Sequence, residues 1–254
     1  MARPACFAGI IVLLFLTSCS RELTLITYNV GAFGKYTDNS IPEVAAIVRE
    51  ADFVSLNELD SCNRRHDFYQ LEALAQEAGG RAFHFAAAFP FAGGAYGNGV
   101  LARDGIVKAD RIGLPEFTGD EPRSVAVVET RRCVFASTHL DYADPAASLE
   151  QARIINDWFS THYGHSKKPV FLCGDMNAEP GSATLHELET LWECLTPPDP
   201  SYPSDEPSAC IDYIFHLRDS KPVKVLEAGV LRTYPEIDLS RASDHLPVRA
   251  VVRY

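Results

Sequence analysis

From residue 23 onward the chain alternates short apolar, β-rich runs with amphipathic stretches, and it shows no internal repeat. Segment 23–28 (LTLITY) alternates and is rich in β-branched residues, and 52–56 (DFVSL) is a second short apolar run. Between them Ser40 can cap a helix with Pro42 in its first turn and Val44, Ile47, Val48 and Ala51 on one face. Asp67 is then expected to cap a helix over 68–78 that ends at Gly79-Gly80, and Asp144-Pro145 to open a longer one through Ile154, Ile155, Trp158 and Phe159. Further strands are expected at 99–102, 125–129, 133–138, 169–173, 211–215, 223–230 and 247–254. Strands outnumber helices, which predicts a β-rich α/β domain.

The polar residues at the strand ends carry the chemistry. Asn29, Asn57-Glu58, His139 with Asp141, and Asp175 with Asn177 each follow the C-terminal end of an apolar run. Asn98, Asp212 and Ser243-Asp244-His245 precede their strands, so they reach the same edge only if those strands run the opposite way. If all form one site, the sheets are mixed or antiparallel, which excludes a simple doubly wound fold. Otherwise the carboxylates of Glu58, Asp175, Asp212 and Asp244 would lie scattered at buried strand ends without partners.

Composition narrows the setting. The 254 residues are 46% apolar and 22% charged, enough for a full-sized core, and no Gly/Ser/Pro-rich linker divides them, so one domain is expected. The net charge is −11 and becomes −12 without residues 1–18, whose only charge is Arg3; a broad electrostatic grip on nucleic acid or an anionic membrane is not expected.

Residues 7–16 are the one long apolar run. They fall short of the ~20 residues that cross a bilayer and read as an export signal. Leu16-Thr17-Ser18-Cys19 resembles the bacterial lipobox, in which the cysteine is lipidated and becomes the mature N-terminus. The expected organisation is a signal over 1–18, a short tether over 19–22 and one domain over 23–254, exported, facing the periplasm or cell exterior and held to a membrane through lipid at Cys19 only. The mature chain keeps Cys62, Cys133, Cys173, Cys194 and Cys210, an odd set with no Cys-x-x-Cys pair, so neither a zinc site nor a disulfide framework is signalled. Cys194 and Cys210 could pair in an exported protein.

An oxygen-rich ligand set without thiolates suits a hard cation, Mg²⁺ or Mn²⁺, and a sparsely ligated divalent ion suits phosphate chemistry. An Asp beside a His supplies an oriented, cationic or proton-donating group for charge developing on phosphorus. TYNV (27–30), LNE (56–58), YGNGVLAR (96–103), STHLD (137–141), GDMN (174–177), IDYIF (211–215) and SDHLPV (243–248), in this order, resemble the endonuclease/exonuclease/phosphatase superfamily, the Mg²⁺-dependent phosphoesterases related to DNase I, AP endonucleases, bacterial sphingomyelinases and inositol polyphosphate 5-phosphatases. The resemblance implies an α/β fold of four layers, two mixed β-sheets face to face with helices on the outer faces.

It further implies a role for each matching residue. Glu58 corresponds to the principal metal ligand with Asn29 as its partner, and Asp244 to a metal or water position. His245 resembles the catalytic histidine, hydrogen-bonded to Asp212. Asp175 would orient or deprotonate the attacking water, and Asn177 would donate to a phosphoryl oxygen. His139 resembles the second phosphate-contacting histidine of DNase-like and sphingomyelinase-like members; AP endonucleases lack it. Asn98 is a candidate phosphate donor or a structural turn residue, Arg65 and Arg123 are candidate phosphate contacts or surface salt bridges, and Asp141 an orienting group for His139. Asn57 replaces the Gln of many relatives, and Tyr142 stands where some have His. The expected function is Mg²⁺-dependent hydrolysis of a phosphodiester by a monomer, with a nuclease or nucleotide phosphodiesterase favoured. The alternatives are a lipid or sugar-phosphate esterase and, from another class, an inactive phosphate-binding module.

Overall fold

A computed structural model describes residues 21–254, and the expected signal and the lipidated Cys19 lie outside the described residues. The first sheet contains β1 (Glu22–Asn29), β2 (Phe53–Ser61), β3 (Ala82–Phe91) and β4 (Gly94–Ala102). The second contains β5 (Lys108–Leu114), β6 (Arg123–Glu129), β7 (Val134–His139), β8 (Val170–Asp175), β9 (Trp192–Cys194) and β10 (Asp212–Leu217). The chain then returns to the first sheet with β11 (Lys224–Val230) and β12 (Val248–Arg253). The strand orders are β11-β12-β1-β2-β4-β3 and β5-β6-β7-β8-β10-β9.

Two parallel pairs, β1/β2 and β7/β8, are joined across α1 (Ile41–Val48) and α3 (Pro145–Tyr163). β4, β10 and β12 run antiparallel to β2, β8 and β1. Both sheets are therefore mixed, and the motifs that precede their strands do reach the edge where the others end.

Three apolar clusters define the layers. One packs α1 and α2 (Gln70–Glu77) on the outer face of the first sheet. Another packs α3 and α4 (Ala183–Glu189) on the outer face of the second. The third, with Leu23, Leu25, Phe53, Phe135, Phe171 and Ile214, fills the space between the sheets. Every strand and all three clusters lie within 22–254, so this stretch carries its own core.

The period-two alternation of each strand places one face between the sheets, and along that face the residues change from apolar to polar toward one end. The inner-face series are Leu23-Leu25-Thr27-Asn29, Phe53-Ser55-Asn57, Phe135-Ser137-His139, Phe171-Cys173-Asp175 and, running the other way, Ile214-Asp212. The polar ends pair across the gap. Ser55 Oγ donates to Ser137 Oγ at 2.8 Å, and Asn57 Nδ2 donates to the Thr138 carbonyl at 2.7 Å and to Asn98 Oδ1 at 3.0 Å, while its Oδ1 accepts the Asp175 N–H at 3.1 Å. Asn57, which the sequence marks only as an amide before Glu58, is a polar staple between the two sheets.

Several local expectations differ. The helix expected from Asp67 begins at Gln70 with Tyr69 as its cap residue and no side-chain cap. Ser40 occupies the cap position of α1 without a capping bond, and Asn39 Oδ1 accepts the Ile41 N–H instead. Asp144 does cap α3, accepting from Ala146 N. The strand expected at 99–102 is the second half of β4, whereas β3, the first half of β4, β5, β9 and α4 are not among the expected elements; in the hairpin, Ala- and Gly-rich segments bearing Pro90 carry little β signal. Cys194 and Cys210 are both free thiols.

Candidate active site

At the polar end of the inter-sheet core the strands open onto a cavity of about 360 Å³ lined by Glu58, His139, Asp175, Asn177, Asp244 and His245, with Lys35, Tyr96, Glu121, Arg123, Tyr142, Tyr202 and Ile211. Asp175, at the end of β8, stands at its centre. Its Oδ2 accepts from Asn29 Nδ2 at 3.1 Å and lies 3.5 Å from His139 Nε2 and 3.6 Å from His245 Nε2, while Oδ1 accepts the Asn177 N–H at 2.9 Å. Burial and the neighbouring Asp212 charge push its carboxyl up to about 7, against the opposing effects of His245, the Asn177 N–H and Asn29.

Glu58 reaches this cavity by a backbone irregularity. Asn57 faces the gap between the sheets, so alternation would turn Glu58 the other way. Instead the register of β2 against β4 shifts between Leu56 and Leu59, and Glu58 adopts φ +60°. Such a left-handed bulge re-aims one side chain at a local cost in strain. Glu58 Oε1 accepts from Asn29 Nδ2 at 3.1 Å, and Oε2 has no hydrogen-bond partner among the described residues.

The histidines are differently tuned. His245 Nδ1 lies 2.8 Å from Asp212 Oδ2, which also accepts from Ser201 Oγ at 2.6 Å. Burial would lower His245, but the Asp212 and Asp175 charges and the Asp212 hydrogen bond outweigh it and lift it to about 10. It is an imidazolium at neutral pH with Nε2–H turned toward Asp175 and the cavity. His139 is held well below its usual value by burial and by the charges of Arg123 and His245. Arg123 Nη1 makes a long contact of 3.5 Å with His139 Nδ1; because a guanidinium only donates, this leaves the imidazole proton on Nε2. One histidine is a cationic donor and the other a neutral one.

The remaining sequence candidates separate into those at the cavity and those outside it. Asp244 Oδ2 pairs with Lys35 Nζ at 2.8 Å, and Lys35, which no motif signalled, thereby enters the site. Arg123 is 3% exposed, 3.4 Å from Glu121, and its Nε has no partner. Asn177 donates from Nδ2 to the Leu140 carbonyl, with φ +46° turning its amide over the cavity wall.

Asn98 is not at the cavity: it bonds Asn57 and the Ser124 carbonyl, both inside the inter-sheet layer. Arg65 is not at the cavity either. It grips the fully buried Asp60 with two hydrogen bonds of 2.7 and 2.8 Å and covers the Phe91 ring. Asp141 accepts from the Ala143 and Asp144 N–H groups and so shapes the loop before α3 rather than His139.

The donor set fits a divalent cation. Glu58 has an open oxygen, Asp175 and Asp244 face the same space, and no thiolate is present, which suits a hard ion. Asn29 lies beside Glu58, but its Oδ1 accepts the Gly31 N–H at 3.1 Å and its Nδ2 spans Glu58 and Asp175, so here it ties two carboxylates together. Asp175, Asp212 and His245 offer atoms within 4.8 Å of one another, yet Asp212 Oδ2 is already taken by Ser201 and His245, which makes this trio an orienting chain for the imidazolium.

No curated protein matches the chain. Solved structures do. A mannosyl-6-phosphatase of Bacteroides thetaiotaomicron VPI-5482 superposes with TM-score 0.75 at 18% identity, covering 91% of this chain and 100% of that one. An endonuclease/exonuclease/phosphatase of Beutenbergia cavernae DSM 12333 gives 0.71 at 22% identity over 92% and 72%. ANGEL2, a 2',3'-cyclic phosphatase, gives 0.66 at 15% identity over 92% and 95%. At these identities the likeness establishes the shared fold. The family model described as Endonuclease/Exonuclease/phosphatase family matches residues 26–245, from β1 through His245 and across every residue placed around the cavity. The chain belongs to the endonuclease/exonuclease/phosphatase family.

Proposed function

We propose that the chain hydrolyses a phosphate ester of a small organic molecule by in-line attack of water, with Mg²⁺ or Mn²⁺ as cofactor. The observation that carries this reading is the convergence of Glu58, His139, Asp175, Asp244 and His245 on one cavity. A divalent cation held by Glu58, with Asp244 and Asn29 beside it, would polarise a phosphoryl oxygen and offset the charge of the carboxylates.

The chain's own groups supply the remainder. Asp175, lifted to about 7, is basic enough to take a proton from water and is anionic above that pH. As the water oxygen bonds to phosphorus and the ester oxygen leaves, the His245 imidazolium and the His139 Nε2–H donate to the phosphoryl oxygens where charge grows. Arg123, buried with a free Nε–H, favours an anionic group above His139.

The cavity's bounded volume and tyrosine walls (Tyr96, Tyr142, Tyr202) favour a nucleotide-sized ester. Its cations Lys35 and Arg123 are matched by Glu58, Glu121, Asp175 and Asp244, so nothing there offers a basic track for duplex nucleic acid. A nucleotide phosphodiester is the first reading and a sugar phosphate the second, the latter favoured by the mannosyl-6-phosphatase among the similar structures.

Turnover of bis(p-nitrophenyl) phosphate, p-nitrophenyl phosphate, a dinucleotide, a sugar phosphate and plasmid DNA, each with Mg²⁺ and with EDTA, tests both. Glu58→Gln should lower turnover at least about 100-fold without lowering thermal stability. Wild-type Mg²⁺-dependent rates in that variant would overturn the metal assignment. Export and lipidation at Cys19 form part of the proposal and rest on the apolar run 7–16 and the lipobox-like tetrapeptide that follows it.

A further inference from the structure

The far ends of the strands that carry the site are strongly basic, although the chain is acidic overall. Among the described residues, a cleft of about 210 Å³ is lined by Arg21, Arg131, Arg132, Lys167, Lys168 and Lys221 together with Tyr254. Their places follow from the topology. Arg21 precedes β1, Arg131 and Arg132 precede β7, and Lys167 and Lys168 precede β8, three strands whose opposite ends bear Asn29, His139 and Asp175. Lys221 follows β10, which begins at Asp212.

Most acids of this face are already engaged, Asp219 beside Lys167 and Lys221 being the exception. Arg132 pairs with Asp52 at 2.8 Å and with Asp104, and Lys168 pairs with Glu129 at 2.7 Å. Arg21, Arg131, Lys167 and Lys221 have no carboxylate partner among the described residues; the Lys221 ammonium lies 4.8 Å from the centre of the Tyr254 ring. At the same end Val107, whose N–H bonds the Glu129 carbonyl, is 66% exposed, an aliphatic side chain in water beside a positive surface.

We infer that this basic face docks on the anionic phospholipid surface of the membrane that holds the lipidated chain, and that the catalytic cavity consequently faces the aqueous side. The tether makes the docking hard to avoid. Arg21 is backbone-paired to Tyr254, and Cys19 lies two residues before it, a reach of about 7 Å even when fully extended. A lipid on Cys19 therefore brings Arg21 and its neighbours within a Debye length of the headgroups. The eight residues of β1 separate this face from Asn29 by about 25 Å. The inference rests on the lipidation and phosphoesterase readings and sharpens the second: the substrate is a soluble phosphate ester, since a lipid of the anchoring bilayer would lie at the wrong end of the sheets.

Residues 20–254, which contain the whole core, should co-sediment with phosphatidylcholine vesicles containing 30% phosphatidylglycerol and not with phosphatidylcholine alone, and should be released by salt. At about fivefold per near-surface cation, replacing Arg21, Arg131, Lys167 and Lys221 with Ala should weaken partitioning on the order of a hundredfold or more. Val107→Asp, which touches no ion pair, should weaken it as well. Both variants should hydrolyse soluble esters at wild-type rates, so loss of vesicle binding is read separately from loss of catalysis. Equal binding of wild type and the fourfold variant, or a wild type that binds inorganic phosphate in the cleft but no vesicle, would overturn the membrane assignment.

In the lipidated full chain, a fluorophore on Cys62, the one exposed thiol among the described residues and beyond the site end of β2, should escape quenchers placed on lipid headgroups. Quenching there would show the cavity facing the bilayer and refute the orientation.

Discussion

Replacing Asp212 with Asn separates orientation from charge at the centre of the site. In the native arrangement Asp212 Oδ2 accepts from His245 Nδ1 and Ser201 Oγ, and Oδ1 is buried with no partner. An asparagine can keep its oxygen toward both donors and turn its amide to the empty side, so the hydrogen bond to His245 survives and the negative charge is lost. Asp212 is the foremost group lifting His245 to about 10 against burial, and its charge also helps lift Asp175 to about 7. In the proposed mechanism His245 acts protonated, a state present below its folded pKa and lost as pH rises through it. Asp175 acts ionised, a state gained as pH rises through its own. The native pH–rate profile should therefore be a bell with limbs near 7 and 10. In Asp212→Asn both limbs should move toward acid. If His245 returns to about 6.5, only about 1% of it is protonated at pH 8.5, a loss of roughly 100-fold, whereas at pH 6 most of it remains charged. Steady-state kcat/KM for bis(p-nitrophenyl) phosphate from pH 5 to 10.5, at saturating Mg²⁺, gives the profile. A variant with the native profile merely scaled down would refute the reasoning, because uniform loss indicates misplacement of the imidazole and not loss of its charge.

Arg123→Ala should raise the inhibition constant of inorganic phosphate at least about tenfold if its guanidinium meets the phosphoryl group; product-inhibition kinetics read this directly. Asp60→Asn should cost about 2 kcal/mol at pH 7, below the range for a fully buried pair because Arg65 is 46% exposed, and leave KM within twofold. Since the Asp60 carboxyl is held low by Arg65, His66 and Asn63 against burial, that contribution is present above the usual carboxylate range and fades as pH falls through the lowered value, so urea midpoints of variant and wild type should converge in acid. Gly174→Ala should destabilise by on the order of 3 kcal/mol or more, because at φ +147° a Cβ runs into the Thr138 carbonyl of the neighbouring parallel strand; denaturant titration gives the figure.

Much of this was legible in the sequence because the site is written in strand periodicity. Thr138-His139, Gly174-Asp175 and Asp212 each continue an apolar alternation, so their direction in space follows from their strands. If the residues that precede their strands were to share a site with those that follow theirs, the sheets had to be mixed; Asp212 and His245 do so and both sheets are mixed, while Asn98 stays inside the inter-sheet layer. What was not legible depends on contacts between segments distant in the chain. Arg65 follows Glu58 closely, yet it turns to the buried Asp60, an attachment visible only once the β2 bulge is known. Lys35 carries no motif and enters the site because the turn after β1 brings it to Asp244. Net charge likewise carries no information on how charges are distributed: a sum of −11 conceals a cleft whose lining charges among the described residues are all positive.

Buried polar atoms without partners occur at both ends of the sheets, the Tyr254 hydroxyl and His216 Nδ1 at the far end among them, but several gather around the cavity. Thr27 Oγ1, the Tyr28 hydroxyl, Arg123 Nε, Asp141 Oδ2 and Asp212 Oδ1 are all buried without partners, and all lie at or beside the cavity end of their strands. Each such atom lowers stability unless something outside the protein completes it. Strands that border the cavity are apolar at their other ends, where Leu23, Phe53, Phe135 and Phe171 meet. Donors and acceptors fixed in advance around a phosphoryl group need no rearrangement when charge develops, which is how preorganisation lowers a barrier. The bulge at Glu58 and the lone Asp212 oxygen are accordingly places where substitutions toward better local stability should lower turnover.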